Sequence, residues 1–300
     1  RNTTTLISLG LSFIGAATTD MLQGNFAEAE QNHREAIATF SVDWATPFMK
    51  GNASAQHAQL GLLYAATGRD AEAVEQTTLM YAAMKPAMEQ MAPESREREI
   101  RQEVLRHRER DIEAARLNWG AVKAQGLASM EKLERIRKNA PGQEEERLRR
   151  DTWEQLMFAA LHEGDASGAK RALLQWWPLR RSVEDNPIIS ARFRESRDQL
   201  HRMQVLFRSG EAGEARAALA NQWPEVEAIF RAAPEEAFNQ VQYATALWIR
   251  AEVDGTLAPA ARRELLTRAA GLLRPLAQQG KLLRRDREWV LAGIERDLAR

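Results

Sequence analysis

The sequence predicts an all-α chain built from repeated helix pairs. Three observations carry that reading: a composition weighted to helix formers, a glycine-led turn that recurs along the chain, and prolines that fall between helical stretches. Ala, Leu, Glu, Gln and Arg dominate the 300 residues, and β-branched residues are scarce, which argues against a sheet.

The elements follow in order. The apolar run Leu6–Ala17 predicts a first helix over 4–22. It is too short and too rich in Ser, Gly and Ala to span a bilayer, so it reads as a buried helix. Gly24 ends it, and Asn25 opens a second helix over 26–40. After Trp44–Pro47 a third helix, 53–67, ends at Gly68, and Asp70 opens a fourth over 70–91. Pro86 lies inside that pattern and is expected to kink it. Beyond Met91–Pro93 come helices at 95–118 and 120–138. Glu94–Arg116 holds 14 charges in 23 residues, seven of each sign, over a thin apolar line of Ile100, Val104, Ile112 and Ala115. That pattern reads as a solvated, protruding charged hairpin. Further helices are expected at 144–163, 166–176, 188–209, 212–222, 235–253, 259–279 and 283–298. The breaks fall at Asn139–Gly142, Trp177–Pro178, Asn186–Pro187, Trp223–Pro224 and Pro234, since the residue before a proline avoids the helical region.

The repeat is the informative feature. Five places share a helix, a Gly and an Ala five residues on: Gly24/Ala29, Gly68/Ala73, Gly164/Ala169, Gly210/Ala215 and Gly255/Ala260. The glycines are 44, 96, 46 and 45 residues apart, so one poorly matching unit lies inside the long interval. Glycine supplies the left-handed backbone that ends the first helix of a pair. The small alanine lets the second helix approach the first closely.

Counting back from each turn, Phe13 and Ala17, Gly61 and Tyr64, and Trp153 and Leu156 occupy the large and small positions of a helix pair. Gln199 with Met203, and Ala244 with Trp248, match less well. On these residues the chain resembles the tetratricopeptide repeats, over about two-thirds of its length. The period of about 46 exceeds that family's usual 34. The resemblance implies a right-handed superhelical array of antiparallel helix pairs, a TPR-like α-solenoid, with the charged hairpin at its centre. The corresponding division is 1–93, N-terminal repeats; 94–142, charged hairpin or connector; and 143–300, C-terminal repeats with basic terminal helices.

Formal net charge is zero, from 42 basic and 42 acidic residues, with 28% charged and 44% hydrophobic residues. No global pull toward nucleic acid or an anionic membrane follows. Cysteine is absent, which excludes disulfides and thiolate metal sites and suits cytoplasm and periplasm equally. The chain begins at Arg1 rather than Met, which reads as a processed form or a fragment. Phosphate-loop, dinucleotide and nucleophile-elbow motifs are missing. His162–Glu163 begins like a zinc motif, but Gly164 and Asp165 follow. No enzyme, cofactor or metal site is therefore expected. The eight tryptophans stand at helix ends or at large-residue positions, where packing explains them. A basic stretch, Arg262–Arg287, holds eight Lys or Arg against Glu264 and Asp286. It reads as a solvated terminal helix pair.

In the family that the chain resembles, the first helices of successive pairs line a concave groove that holds a peptide. Carried onto this sequence, that implies Asp151, Glu154, Phe158 and His162 in the third unit. It implies Arg197, Leu200, Gln204, Phe207 and Arg208 in the fourth, and Gln242, Thr245, Ile249 and Glu252 in the fifth. The second unit offers only Ala55, Ala58 and Leu62. Phe158 and Phe207 would be apolar anchors, with Arg197 and Arg208 on one helix face for an acidic stretch. The expected function is thus a non-catalytic scaffold or adaptor with a protein or peptide partner, without membrane insertion or nucleic acid. The alternative is the sensory region of a larger signalling protein, a kinase or transcription activator. An Arg to Lys ratio of 35 to 7 points to a bacterial protein, and the expected compartment is the cytoplasm, or the periplasm if a signal peptide was removed.

Overall fold

The structure is a computed structural model that describes residues 3–139, 142–180 and 189–300, with the side chains of 189–193 outside the description. It is 85% helical, with thirteen α-helices and no strand among the described residues. They are α1 (Thr3–Gln23), α2 (Phe26–Phe40), α3 (Pro47–Thr67), α4 (Asp70–Glu89), α5 (Arg96–Ala115), α6 (Trp119–Asn139), α7 (Gln143–Glu163), α8 (Ala166–Trp176), α9 (Ile189–Arg208), α10 (Ala212–Ala232), α11 (Ala237–Val253), α12 (Pro259–Gln278) and α13 (Ala292–Leu298). A 3₁₀ turn, Trp177–Leu179, follows α8, and a π-helical segment, Asp286–Leu291, runs into α13. The expected break at Asn186–Pro187 lies outside the described residues. The chain divides into two compact units, Arg1–Ala159 and Ala160–Arg300.

The repeat turns explain the helix pairs. Gly24, Gly68, Gly164 and Gly210 have φ of 75°, 88°, 74° and 93°, the left-handed region that glycine enters freely. The missing unit is α5–α6, where Leu117 takes φ 62° in place of a glycine. Five residues beyond each turn stand Ala29, Ala73, Val122, Ala169 and Ala215, each 0% exposed. The register lapses at Gly255, whose φ is not positive, and Ala260 is exposed. There the Asp254 carboxylate accepts hydrogen bonds from Thr256 N (3.2 Å) and Oγ1 (2.6 Å), so a side chain closes the turn. Of the residues that follow the turn glycines, Asp165 caps its helix, accepting from Gly168 N at 2.8 Å. Asn25 and Glu211 make no side-chain cap bond.

Three expectations need correction. The charged segment does not protrude from its unit. Ile112 joins a core with Leu60, Leu63, Tyr64 and Ala73, and Leu105 packs with Ala58, Met80, Met84 and Met88. Arg110, 1% exposed, donates to Gln155 Oε1 (2.8 Å), Ser129 Oγ (2.6 Å) and Thr152 Oγ1 (2.9 Å), and these bonds permit a guanidinium inside. The break at Trp223–Pro224 is absent, and α10 continues to Ala232. An interior proline costs about 3 kcal/mol. Here Phe230 stacks on Tyr243 of α11 (4.1 Å), Trp223 lies 6.2 Å from the same ring, and Val226 is buried, so packing offsets the loss. Finally, α1 is buried on one side only. Gly10 and Ala17 are covered, whereas Leu9, Leu11 and Leu22 are exposed. By length and composition the helix could cross a membrane, with a mean hydropathy of 1.4 and 11% of its apolar window buried.

A Cβ at Gly164 would meet nothing within 4 Å, so substitution there tests backbone strain alone. Gly164→Val should cost about 1–3 kcal/mol, whereas Leu117→Gly should not lower stability. Thermal melts of the two variants check both.

Candidate functional site

The positions named from the sequence fall in both units: Asp151, Glu154 and Phe158 in the first, and His162, Arg197, Gln204, Phe207 and Arg208 in the second. Within the second unit, α9 and α11 bring Gln204, Arg208 and Glu252 together. Gln204 is fully buried and its amide donates to Glu252 Oε2 at 3.2 Å. The Arg208 guanidinium donates to both carboxylate oxygens, at 2.8 and 3.2 Å. Leu200, Thr245 and Ile249 are buried beside them in the helix interiors. His162 meets Trp289 of the π-helical segment, with ring centroids 4.2 Å apart. Trp289 in turn sits edge-on to Trp248 (5.7 Å), whose indole N–H donates to Asp297 of α13 at 2.9 Å. The chain's own C-terminal aromatic thus packs where a ligand was expected.

Arg197 pairs with its neighbour Asp198 at 3.0 Å. With Leu200, Gln242, Phe230 and Tyr243 it lines a cavity of 20 Å³, room for about one water. Phe207 is half-buried. Asp151, Glu154 and Phe158 lie in the first unit. Asp151 pairs with Arg147 (3.3 Å) and Arg150 (2.6 Å), Glu154 is half-buried, and Phe158 is buried.

Buried titratable groups surround this interior. Burial, reinforced by Arg285 and Arg208, pushes His162 down to about 3. Burial and then Arg285 hold His201 well below the ordinary imidazole value. Burial pushes Asp286 up to about 6 against the opposing pull of Arg285.

The first unit holds a more open place. A cleft of 330 Å³ lies across α2, α3 and α4, floored by Ile37, Ala38 and Leu60 and rimmed by Arg34, His57, Glu72 and Glu75. Its polar groups are held in place. Arg34 donates to the Tyr64 hydroxyl at 2.9 Å, and that hydroxyl donates to Glu30 at 3.0 Å. The Arg69 guanidinium covers the tyrosine ring at 4.1 Å. His57 Nδ1 and Gln76 Oε1 are 2.8 Å apart, and His33 repeats the bond with Gln56 at the same distance. Sequence reasoning missed this cleft. Ala58, one of the three positions it had nominated here, is buried beneath Met80 and Met84. The only available signals were Glu30 and Arg34 one turn apart and Tyr64 four residues before Gly68.

Two measurements follow from the second unit. Arg208→Glu sets two carboxylates against each other and should cost about 1–3 kcal/mol. Adding Glu252→Arg should restore most of the lost melting temperature. The pH dependence has a defined sign. Both histidines stay neutral in the fold, while the unfolded chain takes up protons near pH 6.5. Their stabilisation is complete above that pH and is lost as pH falls toward about 3. Asp286 acts oppositely, its contribution being lost as pH rises through about 6. Urea unfolding between pH 6.5 and 4.5 should therefore show stability falling on acidification. His162→Gln should flatten that slope, by up to about 1.4 kcal/mol per pH unit, and Asp286→Asn should steepen it.

Compared with protein-family models, with curated proteins and with solved structures, the chain matches none.

Proposed function

We propose that the chain is a non-catalytic, tetratricopeptide-like interaction protein that holds a protein partner between its helix pairs. The observation that carries this reading is the 330 Å³ cleft across α2–α4. Its volume falls in the range of about 300–1,000 Å³ usual for binding sites. It combines an apolar floor with convergent groups of both charges, the arrangement of a desolvated anchor site with a polar rim. The bonds that fix Tyr64, Arg34 and His57 reduce the ordering cost of docking. The repeat turns support the family reading, and successive pairs in that architecture offer clefts of this kind.

The test is site-specific photo-crosslinking in the native host. A photoreactive residue at Ala38 or Glu75, both exposed at the cleft, should trap the same protein. One at exposed Arg171 of α8 should not. Arg34→Glu should weaken the isolated complex by about 1–2 kcal/mol. Absence of an adduct at both cleft positions would overturn the proposal.

A further inference from the structure

A second cleft, of 410 Å³, opens between α4 and α5. Its floor is Tyr81, Ala82, Met88 and Leu105, and its rim is Lys85, Arg98, Gln102 and Arg106. No carboxylate lines it. Two acids engage its lining: Glu103, 2% exposed, pairs with Arg106, and Glu109 accepts the Tyr81 hydroxyl at 2.6 Å, which leaves Lys85 and Arg98 as the cations open to a ligand. Glu89 approaches Lys85 only at 3.8 Å, with both side chains mostly in solvent.

Arg98 is the informative residue. Ser95 is the N-cap of α5 and its hydroxyl accepts from Arg98 N at 3.3 Å, which puts Arg98 in the third helical position. A cation there opposes the helix dipole, and a glutamate would complete a capping box with Ser95. Arg98 makes no ion pair among the described residues. It is therefore a local choice that costs stability and that no ion pair within the described residues offsets, the pattern of a residue that serves something outside the fold. Beneath it, Met80, Met84 and Met88 climb α4 at four-residue spacing and pack against Leu105 and Ala58. Thioether side chains adapt their shape and recur at surfaces that receive helices.

We infer that this cleft binds an acidic amphipathic helix of a protein partner. One or two large apolar side chains would enter over Met88 and Leu105, with flanking Asp or Glu meeting Lys85 and Arg98. The charge of the rim selects that occupant, because Lys85 and Arg98 beside an apolar floor complement a segment that is both acidic and apolar. This inference rests on the reading of the chain as a partner-binding repeat, and it adds a second site with its own chemistry.

The experiment is selection of random helical peptides displayed on phage against the full chain. The selected peptides should be enriched in Asp and Glu, with Leu, Ile or Phe at i, i+3 or i, i+4 spacing. A synthetic copy of the best peptide should bind at least tenfold more weakly to the Lys85→Glu, Arg98→Glu double variant in fluorescence anisotropy. That variant should keep its fold, since Arg98→Glu installs the capping box, and a circular dichroism melt checks this. Binding should persist in a Glu75→Ala variant of the first cleft. Selection of neutral or basic peptides, selection of none, or equal binding to the double variant would overturn the inference, as would preferential binding of phosphatidylglycerol vesicles that the double variant loses. Crosslinks at Ala38 and Glu75 that survive such a result would leave the partner-binding reading standing and remove only this cleft.

Discussion

Close approach of two helices immediately after each turn is the constraint on which the rest depends. The turn residue supplies the reversal, but the fifth position beyond it sets the distance. At Ala29, Ala73, Ala169 and Ala215 nothing of the side chain is left exposed. Within and between pairs, glycines also make room for the partner helix. A Cβ on Gly10 would lie 2.4 Å from the Phe40 ring, and one on Gly126 would lie 2.9 Å from Leu156 Cδ2. Backbones drawn this near leave little volume for apolar side chains, so the cores are lined by Ala, Leu and Met. Larger rings gather where the pairs spread, as Phe230 and Tyr243 do.

Buried polar pairs run through this apolar frame at intervals. His33 with Gln56, His57 with Gln76, Arg110 with Gln155, and Gln204 with Glu252 each join two helices through residues 19 to 48 positions apart. An alanine–leucine interface tolerates sliding of one helix along another, because its contacts are similar in neighbouring registers. A buried hydrogen bond does not, since a slip leaves both groups desolvated and unmatched. These pairs therefore fix register where the repeat by itself underdetermines it.

How much was legible follows from which forces act locally. The four glycine turns and most helix limits could be read, because left-handed backbone and proline chemistry act within a few residues. Leu117 could not be read as a turn, since nothing local marks a leucine for the left-handed backbone it takes, at a cost of about 1–2 kcal/mol. Pro224 misled because its helix is held by Tyr243 of another helix. Arg110 was counted as solvated because its hydroxyl and amide partners lie 19 to 45 residues away. The candidate site was the least legible part. Counting back from turns nominated a helix face, but it could not show that Trp289 packs against His162 in the second unit. Nor could it show that the open clefts lie between α2 and α5.

The methionine ladder of α4 has a chemical consequence. A thioether oxidises to a sulfoxide, which is polar and chiral and no longer suits a hydrophobic contact. Met80 and Met84 are shielded by the helices over them, whereas Met88 lies in the floor of the cleft, 9% exposed, with half-buried Met91 three residues on. Within this ladder, oxidation would thus reach the cleft first and spare the deeper core. Because sulfoxides are reduced enzymatically, the loss of that surface would be reversible. The same sulfur that lets the floor adapt its shape also exposes it to the redox state of its surroundings.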